Sequence, residues 1–276
     1  MRRVVTALAI AALLVGVAVA GTATRIAAHR GGAALAPENS LAAFRTAIAL
    51  GADALEFDVH LTADGELVVI HDAALERTTT GIGAVADATL TELRALRLKS
   101  RDGAVTTETV PALAEVLDLA APSGIEVLPE IKTARGGRRY AGIEEKLLAQ
   151  LDRRHLGARA TIQAFDETTI RRLHELAPAQ RTMLLVSAGR LKTASAEPVQ
   201  AVRWASEVGA SDLGMDFRAI DAAVVAAARA AQIRLAAWTV NTEPDLRRML
   251  ELGVEVVMSD HPDVALGLAG RGARKP

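Results

Sequence analysis

The sequence predicts the α/β class, a closed (β/α)8 barrel of the TIM type with a small insertion after the second strand, on three observations. Short apolar runs rich in β-formers alternate eight times with longer helical patterns from Thr24 onward. Helix-capping residues precede many of the helical runs, and one connection alone breaks the rhythm. Strands are expected at 25–29, 54–60, 125–131, 159–163, 182–186, 211–215, 234–240 and 255–258. Helices are expected near 40–50, 111–121, 142–155, 167–176, 198–207, 221–231, 243–252 and 262–268. Asn39-Ser40, Asp166, Asp221, Thr242 and Asp260 stand where caps are needed, and Pro244 falls in a first turn. The odd connection, about 72–110, holds one short helical stretch near 89–96, among turn formers such as Arg77-Thr78-Thr79-Thr80-Gly81 and Gly83. A loop of that length inside a compact domain is usually functional.

Composition narrows the function. Of the 276 residues half are hydrophobic, and 32 basic residues face 33 acidic ones, so no overall field draws nucleic acid or an anionic membrane. Phosphate recognition, if present, is local. Aromatics make up only 3%, against a base-stacking or sugar-stacking surface. Cysteine is absent, which excludes disulfides, a thiolate nucleophile and a lipid-modified cysteine. Met1-Arg2-Arg3 followed by an apolar run to Ala18-Val19-Ala20 predicts a signal peptide over 1–20, leaving one domain over 21–276. The protein is then exported, periplasmic or secreted, without stable membrane insertion; left uncut, the segment is a membrane anchor, at the short edge for a span.

Candidate chemistry gathers at strand ends, the catalytic face of such a barrel. His29-Arg30-Gly31-Gly32 and Pro37-Glu38-Asn39-Ser40 flank the first turn; the histidine titrates near neutrality and the arginine suits phosphate. Glu56 and Asp58, one residue apart on a strand, point to one face. Two buried carboxylates there need a cation, and such hard oxygen ligands suit one Mg²⁺ or Ca²⁺. His60 shares their parity, with a surface or supporting role expected. His71-Asp72 brings a second histidine, and Glu130-Ile131-Lys132 a third carboxylate with an ammonium group as phosphate clamp. Gln163 and Trp238 are expected in the pocket wall, with packing the simpler role for Trp238, and Asp260 as a helix cap. His155 and His174 are placed in helices, solvated.

Taken in order, the His-Arg-Gly…Pro-Glu-Asn opening, Glu-x-Asp, His-Asp, Arg-Thr-Thr, Glu-x-Lys and late Trp-Thr-Val-Asn resemble the glycerophosphodiester phosphodiesterase family. The resemblance spans residues 25–265, with Ser40 where threonine is usual and Ala164 where serine is frequent. It implies metal ligation by Glu56, Asp58 and Glu130, acid–base catalysis by His29 and His71, phosphate contacts from Arg30 and Lys132, and hydrolysis of a small glycerophosphodiester to sn-glycerol 3-phosphate and an alcohol. Two other readings stand beside it: a phospholipase D-like or phosphoinositide-type enzyme acting on intact lipid, and a noncatalytic phosphodiester-binding module.

Overall fold

In the computed structural model, which describes residues 23–271, the expected strands close into a barrel. The predicted export segment lies outside the described residues. Eight parallel strands form the wall: β1 (Arg25–Ala28), β2 (Ala54–Leu61), β6 (Glu126–Ile131), β7 (Thr161–Ala164), β8 (Arg181–Val186), β9 (Asp212–Asp216), β10 (Arg234–Trp238) and β11 (Val256–Ser259). Closure runs through β1, which pairs with β11 on one side and β2 on the other. The outer helices are α1 (Leu41–Leu50), α3 (Leu113–Ala120), α4 (Ile143–Asp152), α5 (Glu167–Leu176), α7 (Gln200–Glu207), α8 (Ala222–Ala230), α9 (Glu243–Leu252) and α10 (Pro262–Leu268), with a short α6 (Ala188–Thr193) after β8 that the sequence pattern did not announce.

Strand alternation separates two environments. Leu55, Phe57 and Val59 face outward and pack with Phe44, Leu113 and Leu117 of the helices, with Phe44 and Phe57 edge to face at 5.7 Å. Their alternates turn inward, where Ala27, Ala54, Leu128, Met183, Leu185, Ala236, Val256 and Met258 fill the barrel. Filling it leaves little spare room: a Cβ on Gly214 would lie 2.6 Å from Leu185 Cδ2 and 2.8 Å from Met183 Sδ, so glycine is required there. Ser40, Asp166, Asp221 and Thr242 each accept a backbone N–H at a helix start, as expected of caps.

Between β2 and α3 the chain builds more than one short helix. β3 (Leu67–Val69) pairs antiparallel with β2, α2 (Leu90–Ala95) follows, and β4 (Arg97–Lys99) with β5 (Val105–Thr109) forms a hairpin. Val68, Ile70, Leu75, Val85, Leu93, Leu98 and Val110 give this segment its own small core. The strands of the hairpin are short and mostly polar, so their pattern did not stand out as β.

Candidate active site

The site is built at the end of the barrel where the strands finish. On β2, Ala54, Glu56 and Asp58 share the inward face, and the register sets Asp58 beside Glu130 of β6 and Glu130 beside Gln163 of β7. Glu56, Asp58 and Glu130 are all buried, and each offers an oxygen within 4.8 Å of the others. Side chains 74 residues apart in sequence, from Glu56 to Glu130, thus meet through strand pairing.

β1 ends one residue earlier than expected: His29 opens a short helical turn and is not the last strand residue. The reason is Gly31 at φ +81°, where a Cβ would meet Ala43 Cβ and Phe44 Cδ1 at 2.8 Å. The turn packs against α1 only because Gly31 has none. It aims the Arg30 amide at Glu56 Oε2, 2.8 Å away, and the Arg30 side chain at Glu38 (2.9 Å) and Asp58 (Nε to Oδ2 3.6 Å). The Pro-Glu-Asn-Ser segment divides its work: Glu38 receives Arg30 and Arg77, Asn39 donates to Asp58 Oδ2 at 2.8 Å, and Ser40 caps α1.

The two histidines are mounted alike. His29 Nδ1 lies 2.6 Å from Asp260 Oδ1, which leaves Nε2 facing Glu56 at 3.9 Å. His71 Nδ1 lies 2.5 Å from Asp72 Oδ1. Each carboxylate is itself held, Asp260 by the Asn241 amide at 2.7 Å and Asp72 by Arg77 at 2.6 Å. A carboxylate on Nδ1 fixes the ring and leaves Nε2 for chemistry. Asp260 is therefore no helix cap; α10 begins after His261, and no side chain caps it. Its position just past the last strand, on the same rim as His29, was the available signal, and the capping explanation absorbed it.

Other expectations need adjustment. Of the two roles expected for His60, the supporting one holds: it is fully buried, Nδ1 meets the Tyr140 hydroxyl at 2.8 Å and Nε2 the His71 carbonyl at 3.1 Å. Because a carbonyl only accepts, Nε2 carries the proton and Nδ1 accepts from the phenol. Gln163 donates to Glu56 Oε1 at 2.9 Å, so it orients a carboxylate while lining the central cavity. Lys132 is tied to Glu130 at 2.7 Å and Asp58 at 3.3 Å. Trp238 is half-buried in the cavity wall, edge to face with Phe165 at 5.4 Å. His155 is exposed in a turn after α4, and His174 is exposed on α5.

Electrostatics follow from this crowding. Burial, then the Asp58 charge, pushes the Glu56 carboxyl up to about 7. Burial raises Glu130 as well. Burial opposes ionisation of Asp58, but Lys132, His71 and Arg30 hold it well below the usual carboxylate range. For His29 burial favours the neutral ring, yet Glu56 and Asp260 outweigh it and raise the imidazole; for His71 burial prevails and lowers it. Three carboxylates against Arg30 and Lys132 leave a surplus of negative charge in a buried place. Hard oxygen donors in that state fit a divalent cation.

Residues 29–264 match the model of the Glycerophosphoryl diester phosphodiesterase family. A glycerophosphodiester phosphodiesterase of Caldanaerobacter subterraneus subsp. tengcongensis is 35% identical over 90% of this chain and 99% of its own. Another from Bacillus subtilis is 32% identical over 86% of this chain and 83% of its own. Among solved structures, a glycerophosphoryl diester phosphodiesterase assigned in Agrobacterium tumefaciens superposes with TM-score 0.83 at 28% identity, over 90% of this chain and 98% of that one. An Oleispira antarctica phosphodiesterase in complex with the product sn-glycerol-3-phosphate gives 0.73 at 25% identity, over 89% and 96%. The chain belongs to the glycerophosphoryl diester phosphodiesterase family and is a phosphoric diester hydrolase.

Proposed function

We propose that the protein hydrolyses glycerophosphodiesters to sn-glycerol 3-phosphate and an alcohol, with Glu56, Asp58 and Glu130 holding one Mg²⁺ or Ca²⁺ and His29 and His71 as the acid–base pair. The observation that carries the reading is the buried carboxylate trio, with oxygens within 4.8 Å of one another, of which Glu56 and Glu130 line one cavity with both histidines. The product seen in the Oleispira relative supports the substrate class. When bound, such an ion supplies charge stabilisation to the phosphoryl oxygens. Arg30 and Lys132 add donors beside them. Asp260 and Asp72 hold the two rings so that one Nε2 takes a proton from the attacking oxygen and the other gives one to the departing alkoxide.

His29→Ala and His71→Ala are each expected to lower turnover on glycerophosphocholine by about a hundredfold or more at unchanged fold, the usual size of an acid–base contribution. Chelator is expected to abolish the parent's activity and Mg²⁺ or Ca²⁺ to restore it. Near-parent rates in both variants would refute the histidine assignment. A second reading, cleavage of intact lipid, draws on Ile82 and Val105, apolar side chains on the insertion that are 87% and 60% exposed. Faster hydrolysis of a long-chain phospholipid than of glycerophosphocholine would favour it.

A further inference from the structure

The central cavity, about 110 Å³, is walled by Phe165, Leu185, Trp238 and Met258 as well as by the catalytic groups. Two larger volumes share lining residues with it. Beside His71 and Lys132 lies one of about 500 Å³ whose cations are paired. There Lys132 is paired with Glu130 and Asp58, Arg135 lies 3.6 Å from Glu76, and Asp72 and Asp166 add negative charge. Beside His29, Arg30 and Thr239 lies one of about 350 Å³, bordered by the insertion hairpin, and there the balance differs.

Four cations border this second volume. Arg30 and Arg77 are paired with Glu38, Asp58 and Asp72. Lys99 and Arg101 are not: among the described residues neither has a carboxylate within 4.0 Å, and Lys99 Nζ reaches only the Glu76 carbonyl, at 2.8 Å. Thr78, on the same wall, is 5% exposed, and its hydroxyl is buried with no partner. These groups are brought together by backbone pairing. The Lys99 amide donates to the Thr78 carbonyl at 2.8 Å and Thr79 bridges to Leu98, while the hairpin turns over Ser100–Ala104 with Gly103 at φ +88°. The acids nearby are occupied. Asp102 accepts the Ser100 hydroxyl at 2.5 Å and the Ala104 amide at 3.2 Å, Glu38 holds the arginines, and Asp260 holds His29 and Asn241.

An ammonium whose one partner is a backbone carbonyl, a guanidinium without a carboxylate and a hydroxyl without a partner form a donor set, and a phosphate, whose free oxygens only accept, is its complement. A quaternary ammonium group would want the face of a Trp, Tyr or Phe, and none of these borders this volume. We infer that the cavity between His29 and the insertion hairpin receives the departing alcohol and that Lys99, Arg101 and Thr78 select alcohols bearing a second phosphate. The inference rests on the reading that the scissile phosphate sits at the carboxylate trio.

The test compares kcat/KM for 1,3-bis(sn-glycero-3-phospho)glycerol with that for sn-glycero-3-phosphoglycerol, whose departing alcohol is uncharged. In the parent the doubly phosphorylated substrate should be favoured about tenfold at low ionic strength, the size of one charge-assisted hydrogen bond at a partly exposed site, and less as salt rises. Arg101→Ala, an exposed change with little risk to folding, should reduce the ratio, and Lys99→Ala/Arg101→Ala should bring it to about twofold, the statistical value for two equivalent scissile bonds. A parent ratio already near twofold, or a tenfold ratio that survives the double substitution, would overturn the inference. If the parent cleaves neither diester, the underlying reading fails and this inference with it.

Discussion

The barrel carries a cluster of charged side chains at each end, and the two differ in how their charges balance. At the end where strands begin, the first residues of β1, β6, β7, β8, β9 and β10 are Arg25, Glu126, Thr161, Arg181, Asp212 and Arg234. Fully buried Asp212 accepts from Arg181 at 3.0 Å, from Arg234 and from Ser211, while Arg234 also reaches Thr161 at 3.0 Å and Arg25 pairs with Glu126 at 2.8 Å. Three cations enclose two carboxylates, and the buried acid's oxygens are all used. At the other end three carboxylates share Arg30 and Lys132, and Glu56 is pushed up to about 7. The first arrangement is closed and holds strands together; the second is open and lacks a positive charge. Buried charge by itself does not mark a functional site, but unmatched buried charge of one sign does.

Exchanging the insults separates the two ends. Glu130→Gln keeps an oxygen for Lys132 while removing the negative charge that would hold a cation. It is expected to cut turnover by roughly a thousandfold, the several kcal/mol that a lost Lewis acid removes. Its melting temperature without divalent ions should equal or exceed the parent's, because a like charge has gone. Asp212→Ala should do the opposite, costing about 3 kcal/mol by denaturant titration since it strands two arginines, while the folded fraction keeps its activity. If Glu130→Gln instead unfolds the protein, the distinction between the ends fails.

Titration offers a smaller contrast, because the site end holds a neutral buried histidine under His71. Burial pushes His60 down to about 4 from the ordinary 6.5. Between those values the unfolded chain binds a proton that the folded one refuses, so stability falls as pH drops through that window. The full contribution is present above about 6.5 and amounts to roughly 3 kcal/mol. Melting curves from pH 7 to 4 should show a slope that His60→Asn largely flattens; an unchanged slope would place the effect in other groups. Smallest is the response to ions. At a hundred times its dissociation constant, Mg²⁺ or Ca²⁺ should stabilise the parent by about 2.7 kcal/mol and Glu130→Gln by far less, read as a melting shift.

Much of this was legible in one dimension. The Glu-x-Asp spacing declares a shared face because strand geometry alternates at every residue, and it needs no partner to do so. The turn around Gly31 and the caps at Ser40, Asp166, Asp221 and Thr242 are likewise local. Asp260 was misread for a related reason: a carboxylate just before a helix has a sufficient local explanation, and only closure of β11 onto β1 brings it to His29 across 231 residues. For His60 the sequence left a surface and a supporting role open, because strand parity says which way a side chain points but not what later covers it, here Tyr140 from 80 residues on.

What the sequence by itself determined was the alternation of eight strands and helices, the identity of the acids and histidines, and the end of the barrel at which they stand, since each is set by short-range periodicity and by position at a strand end. The tertiary structure alone decided which carboxylate orients which histidine, and which cations are satisfied and which, as at Lys99 and Arg101, are left without one. Charge balance depends on distances across strands and loops remote in the chain, and those distances exist only once the barrel has closed and the insertion has packed over its mouth.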